Sequence, residues 1–388
     1  MDLVGFGIVL PLLPLYADRF GASGTQIAVL VLSYSAAQLV LAPIWGRLSD
    51  RFGRRPIILV GLVGSAISYV VFAYAGSILA LLISRTMAGV GGANIPVAQA
   101  YIADITPPEK RAGGMGLIGA AFGLGFIFGP AIGGVLAPIA PEAPGRAAAG
   151  LCAGNALLAL FFLPESLTAE EREERSAAAI LVESEGPSKL DELKVVVRSP
   201  AFMQVLVLSF LFTAAFSAIH PVFPLFAAER FGLEERGVGW LFAFMGTISA
   251  IMQGGVVRFL VPRIGERALV RLSSGPFVAG LVLIAFAPDI PTLLLAILLL
   301  AIGFGGTLPS LVSMLSQAAP EALQGGSLGV GQSVGALARI LGPLMGGIAW
   351  DVAGLPGPFL AGAVVAAVAA LWALRMQAPA RDPVDAHG

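Results

Sequence analysis

Charge is scarce in this chain. Only 12% of its 388 residues are Asp, Glu, Lys or Arg, whereas 57% are hydrophobic and mean hydropathy is +0.88. A soluble globular domain carries about 25% charged residues, so lipid must be the solvent for most of the sequence. A single cysteine, Cys152, excludes a disulfide framework, and two histidines, His220 and His387, cannot build a zinc cluster. No Gly-x-x-x-x-Gly-Lys loop is present, so ATP is not read as the energy source. A net charge of −1 offers no basic field to nucleic acid. Neither a nucleophile with a nearby base nor a metal cluster can be assembled, which argues against an enzyme. The longest polar stretch, Pro164–Pro200, is too short for a receptor domain.

Long apolar runs are plentiful. A span needs about 20 apolar residues, and eleven runs qualify. They are Gln26–Trp45, Ile57–Ala75, Ile78–Ile102, Ala112–Pro138 and Ala147–Leu163, then Phe202–Ala228, Gly237–Val257, Ala268–Pro288, Thr292–Ala318, Gly325–Trp350 and Pro356–Leu374. Leu3–Ala17 is a shortened twelfth, the first in the chain, and its natural start is expected upstream of Met1. Seventeen Lys and Arg residues fall on one side of such a topology, among them Arg47, Arg51, Arg54, Arg55, Lys110, Arg111, Arg258, Arg263 and Arg267. Only Arg19, Arg146, Arg230 and Arg236 fall on the other. Positive charge accumulates in the cytoplasm, which puts both termini there. Without a targeting segment, a prokaryotic cytoplasmic (inner) membrane is expected.

The chain repeats itself. Pro11, Pro14 and Arg19-Phe20-Gly21 return as Pro221, Pro224 and Arg230-Phe231-Gly232. Arg51-Phe52-Gly53 returns as Arg263-Ile264-Gly265, Pro96 as Pro309, and Gly129-Pro130 with Gly133-Gly134 as Gly342-Pro343 with Gly346-Gly347. The offset is nearly constant, as two parallel six-helix repeats require, and such halves hold a binding site between them near the midplane. The division is residues 1–163, a cytoplasmic linker at 164–200, and residues 201–388.

Between the second and third spans stands Gly46-Arg47-Leu48-Ser49-Asp50-Arg51-Phe52-Gly53-Arg54-Arg55-Pro56. It resembles the signature loop of the major facilitator superfamily. Gly125-Phe126-Ile127-Phe128-Gly129-Pro130-Ala131-Ile132-Gly133-Gly134 resembles the motif of its drug/proton antiporters. Ala100–Thr106, Leu163–Ser166 and Asp2–Gly7 are similar to tetracycline-efflux-type members. This likeness implies an all-α membrane fold of twelve helices. It implies a gating cluster of Gly46, Asp50, Gly53, Arg54, Arg55 and Asp104, with Asp50 held at the start of the eleventh helix near Gly325–Ser327. It also implies proton coupling through Arg85 and, by its place in the acidic first-helix motif, Asp2. The residues by themselves also permit Arg47, Arg51 and Arg55 to be topology charges, the glycines to serve packing, and Asp2 to be a terminal charge.

Ionisable or amide groups inside spans are costly and therefore functional candidates. Arg85 could tune a nearby carboxylate, and Arg339 needs an anion, with substrate, water or Asp2 as the choices. Gln38, Asn94, Gln99, His220, Gln253, Gln332 and Arg339 are the expected cavity residues. The reading is a monomeric carrier with no cofactor that exchanges protons for a small amphipathic compound. A sugar or organic-anion transporter is the alternative.

Overall fold

The structure is a computed structural model. It describes residues 1–107, 111–168, 199–318 and 324–376, with side chains throughout except at 111–120, Phe122 and 324–327. Most of the expected linker, 169–198, and the tail from 377 lie outside the described residues. All regular structure described is helical, and nine helical segments are long and apolar enough to span a membrane.

The first half comprises α1 (Asp2–Val9), α2 (Leu13–Asp18), α3 (Gly24–Phe52), α4 (Arg54–Ala73), α5 (Ile78–Gly92), α6 (Ile95–Ile105), α7 (Arg111–Leu136) and α8 (Ala143–Phe162). The second comprises α9 (Pro200–Ser217), α10 (Phe223–Phe231), α11 (Glu235–Ile251), α12 (Val257–Ala285), α13 (Ile290–Gln317), α14 (Gln324–Ala353) and α15 (Gly357–Leu374). A π turn at Met252–Val256 joins α11 to α12.

Three expected spans are broken, for a common reason. Proline lacks the amide hydrogen that would continue the ladder, so it fits best in a first turn. Pro14 lies in the first turn of α2, Pro96 of α6 and Pro224 of α10. The breaks before α2 and α10 therefore recur with the repeated prolines. Pro309 does not break α13, so here the second half departs from the first.

The repeat is clearest in the backbone. Gly53 has φ 101°, ψ 156° and Gly265 has φ 77°, ψ 158°. Both are left-handed positions that an L side chain resists. Each turns the chain between consecutive spans, although α12 is otherwise continuous across its turn. Two apolar cores result. One draws on Ile8, Leu12, Ile27, Tyr69, Phe72 and Ala148, the other on Phe202, Phe212, Phe277, Leu300 and Phe359. Leu225 of the second half is buried in the first core.

Small residues let the helices approach closely, which matters where lipid supplies no hydrophobic drive between them. On α7, a Cβ at Gly125 would lie 2.6 Å from the Leu3 carbonyl oxygen, at Gly129 2.6 Å from Gly7 Cα, and at Gly133 2.7 Å from the Ile8 carbonyl oxygen. These three face α1 of their own half. Gly134 faces the other half, against Glu235, Arg236 and Gly239 of α11. α14 repeats the division. Gly342 and Gly346 meet Ala214 and Ala218 beside α9, whereas Gly347 crosses to Gly24 and Ala28 of α3. The α14 glycines therefore do more than pack their own half. α7 runs unbroken through Pro130, whose carbonyl oxygen lies 2.5 Å from a Cβ placed on Gly239.

Candidate functional site

The motif after α3 forms a charged knot on the face that carries the linker. Arg54 is 4% exposed. It pairs with Asp50 at 2.7 Å and Asp104 at 3.2 Å, and donates to the Ser49 hydroxyl at 2.5 Å. The Glu165 carboxylate accepts from the Arg54 amide at 2.8 Å and the Arg55 amide at 3.2 Å, so it caps α4. A carboxylate is favoured there by the exposed amides and the helix dipole. Arg55 turns away and donates to the Leu160 carbonyl at 2.5 Å. A Cβ at Gly53 would press on the Glu165 carboxyl carbon at 2.9 Å, whereas Gly46 borders open space. Asp50, Gly53, Arg54, Arg55 and Asp104 thus come together, with Glu165 as a member that sequence reasoning did not single out.

This knot was expected to tie the two halves together. Every contact described for it joins residues of the first half. The expected partner of Asp50, at 325–327, has side chains outside the described residues. The second half builds its own version. Glu266 accepts from Ser313 at 3.1 Å and from Gln317 at 2.7 Å, at positions that repeat Arg54 and Asp104. Glu266 lies in the polar connection on the linker face. Burial alone would raise its carboxyl, but its own backbone amide, Gln317, Ser313 and the Arg267 charge together hold it below the ordinary carboxylate range.

The halves are joined at the opposite face. Asp351, at the end of α14, accepts from the Gly24 amide at 2.7 Å. It also accepts from the Thr25 amide at 2.9 Å and the Thr25 hydroxyl at 2.6 Å. Arg19 pairs with Glu235 across the same face. All hydrogen bonds described between the halves lie here. Near the linker face, Gly46 and Gly329 have no neighbour within 4 Å of a Cβ among the described residues, and Gln253 and Gln332 are exposed. Among the described residues, the hydrogen bonds between the halves close one face only.

Between the faces lies a buried polar group. Arg85 of α5 is 1% exposed. Its guanidinium stands 5.2 Å from the centre of the Tyr34 ring and 5.9 Å from that of Phe6. Its Nε and Nη1 have no hydrogen-bond partner among the described residues. Asp2 accepts from the Cys152 thiol at 3.1 Å. It forms no ion pair with Arg85 or Arg339 among the described residues, so the expected tuning of a carboxylate by Arg85 is not built here. The electrostatic neighbours of the Tyr34 phenol are Asp2, Arg85 and Cys152 of its own half and Arg339 of the other.

The amides divide. Gln38 donates to the Gly92 carbonyl at 2.9 Å, which ties α3 to the end of α5. Asn94 is buried, its amide nitrogen 2.6 Å from a Cβ placed on Gly61; it packs between helices rather than lining an open cavity. Gln99 is half-buried on α6. His220 sits in the break between α9 and α10, edge-on to Phe216 at 5.0 Å, and Phe216 stacks on Phe304 at 3.8 Å.

Comparison with known proteins places this geometry. The family model described as Major Facilitator Superfamily matches residues 1–343 and 256–387. The chain is 33% identical over 348 residues to "Tetracycline resistance protein, class E" of Escherichia coli, covering 89% of this chain and 84% of that protein. It is 29% identical to "Multidrug resistance protein 2" of Bacillus subtilis (strain 168), covering 92% and 88%. Its fold is similar to that of the human organic anion transporter MFSD10 (TETRAN), with TM-score 0.70, 28% identity and 96% of each chain covered.

Proposed function

The chain belongs to the Major Facilitator Superfamily, and on that basis we propose that it is a secondary active transporter exporting small amphipathic compounds, drugs among them, in exchange for protons. It is an integral membrane protein. The observation that carries the reading is the likeness to tetracycline and multidrug resistance proteins along nearly the whole chain, on a fold that buries Arg85 and half-buries Asp2. Metabolite uptake has less support, because the relatives named for resistance favour export.

In this reading residues 1–163 and 201–388 rock about a central site, and the linker at 164–200 joins them. The linker face is read as cytoplasmic, on the Lys and Arg count, so the hydrogen bonds described between the halves lie at the outer face. The glycine seams of α7 with α11 and of α3 with α14 are the surfaces that slide or part. Asp2 carries the proton, Arg85 takes part in the coupling without an ion pair to Asp2 in the described arrangement, and the proton gradient is the energy source, with no cofactor. The Asp50–Arg54–Asp104 knot holds the inner side when it closes. The carrier works as a monomer in a prokaryotic cytoplasmic membrane.

The test is proton movement in energised everted vesicles, with candidate drugs added singly. A drug-dependent collapse of the pH gradient, absent with Asp50→Asn, is expected. A wild-type chain that takes up drug without moving protons would overturn the exchange.

A further inference from the structure

Resting on that reading of the central site as a transport site, we propose that Arg85 and Arg339, one from each half, recognise a carboxylate, sulfonate or similar anionic group on the transported compound. Four observations meet at this place. Arg85 is 1% exposed and leaves Nε and Nη1 without partners among the described residues. Its flanks are the Tyr34 and Phe6 rings, which hold the cation by their faces without neutralising it. Arg339 has no carboxylate partner among the described residues; the electrostatic neighbour it finds is the Tyr34 phenol. Finally, Arg339 replaces an aromatic of the internal repeat. Its counterpart, Phe126, packs edge-on against Phe6 at 6.2 Å, so the repeated packing scheme does not require a cation there.

The cost of the empty site falls on Arg85. A guanidinium taken out of water loses hydration, and Arg85 recovers none of it at Nε and Nη1 from the described residues. A guanidinium cannot shed its proton to escape that cost, as a lysine can. An anion between the halves restores the hydrogen bonds that Arg85 lacks and gives Arg339 the counter-charge it lacks. Guanidinium geometry suits a two-oxygen group such as a carboxylate or sulfonate. Gly335, one turn before Arg339, leaves room for the head group, whose Nη1 lies 3.4 Å from a Cβ placed there. Phe6 and Tyr34 provide an aromatic wall beside the charge, at 4.9 Å from one another, so the ligand class is an aromatic or amphipathic organic anion. Because the two cations come from different halves, such a ligand would bridge them.

The experiment measures equilibrium binding to the purified full chain in nanodiscs. The probes are naphthalene, biphenyl and quinoline scaffolds, each as sulfonate, carboxylate, neutral amide and amine. Wild type should bind the anionic members about tenfold or more tightly than the amides, the scale of one charge-assisted bond. Arg339→Gln should remove that preference, Arg339→Lys should restore part of it, and neither should alter thermal melting without ligand. Neutral or cationic members bound as well as the anions, or a preference that survives Arg339→Gln, would overturn the assignment. Export itself would stand if those compounds still moved protons in vesicles. If no member bound and no compound moved protons, the transport reading would fail and this assignment with it.

Discussion

The Asp351 carboxylate, at the last turn of α14, accepts the Gly24 amide at 2.7 Å and so caps a helix of the other half. Its second oxygen takes the Thr25 amide and hydroxyl. An anion at a helix N-terminus meets both the free amides and the positive end of the dipole. It is therefore a latch for the arrangement sealed at this face, in which α3 and α14 also touch through Gly24 and Gly347.

Removing the latch should shift the conformational balance. Asp351→Ala loses about 1–2 kcal/mol of charge-assisted bonding at a rim position, a roughly five- to thirtyfold change in the ratio of states. Spin labels at Gly76→Cys and Pro288→Cys, in a Cys152→Ser background, should report a larger long-distance population by double electron–electron resonance. An unchanged distance distribution would show that the capping carboxylate does not set the balance.

The α7 glycines should separate by the helix they face. Gly129→Ala presses on the α1 backbone inside one half and should cost about 1–3 kcal/mol of stability, as overpacking does. Gly134→Leu presses on α11 in the other half. It should leave melting of the detergent-purified protein nearly unchanged while slowing transport per molecule. Equal effects of the two substitutions on melting would refute that division.

Gly53 carries two constraints at once, φ of 101° and the Glu165 carboxyl group against the place of its missing Cβ. Gly53→Ala should cost about 1–3 kcal/mol from backbone strain. Glu165→Gln should cost about 1 kcal/mol, because it keeps a capping oxygen but loses the charge. Thermal melting of both variants and of their combination is the check. The combined loss should be smaller than the sum, since a carboxylate displaced by the methyl of Gly53→Ala has already lost part of what its charge contributes at the cap.

Glu266 predicts a pH dependence. Its carboxyl is held below the ordinary range, so the ionised form stabilises the fold. That contribution is complete above the unfolded-state carboxylate range, about 4.3 for Glu, and is lost as pH falls through the lower folded-state value. Wild type should melt above Glu266→Gln at pH 7, and the gap should close in acid. A gap that stays constant down to that range would point to packing instead.

Some of this molecule was legible from residue order. Apolar length marks spans because a backbone in lipid must satisfy its own hydrogen bonds, and a helix does so within one segment. The paired prolines and the paired Gly53 and Gly265 were readable as a repeat because a proline in a first turn and a glycine at positive φ answer to local backbone geometry. Arg85 and Arg339 were legible as costly because charge in a span is costly wherever the chain takes it.

The tertiary structure decided the rest. Nothing in the residue order set Asp351 and Glu235 apart until folding placed them against Gly24 and Arg19, more than two hundred residues away. Glu165 became the cap of α4 only when α8 returned beside it. Asn94 looked like a cavity amide, yet packing against Gly61 buried it. A contact between distant residues depends on which faces meet, and one sequence that rocks between two arrangements encodes both. Only the folded chain shows which seam is shut, and here it is the one held by Asp351.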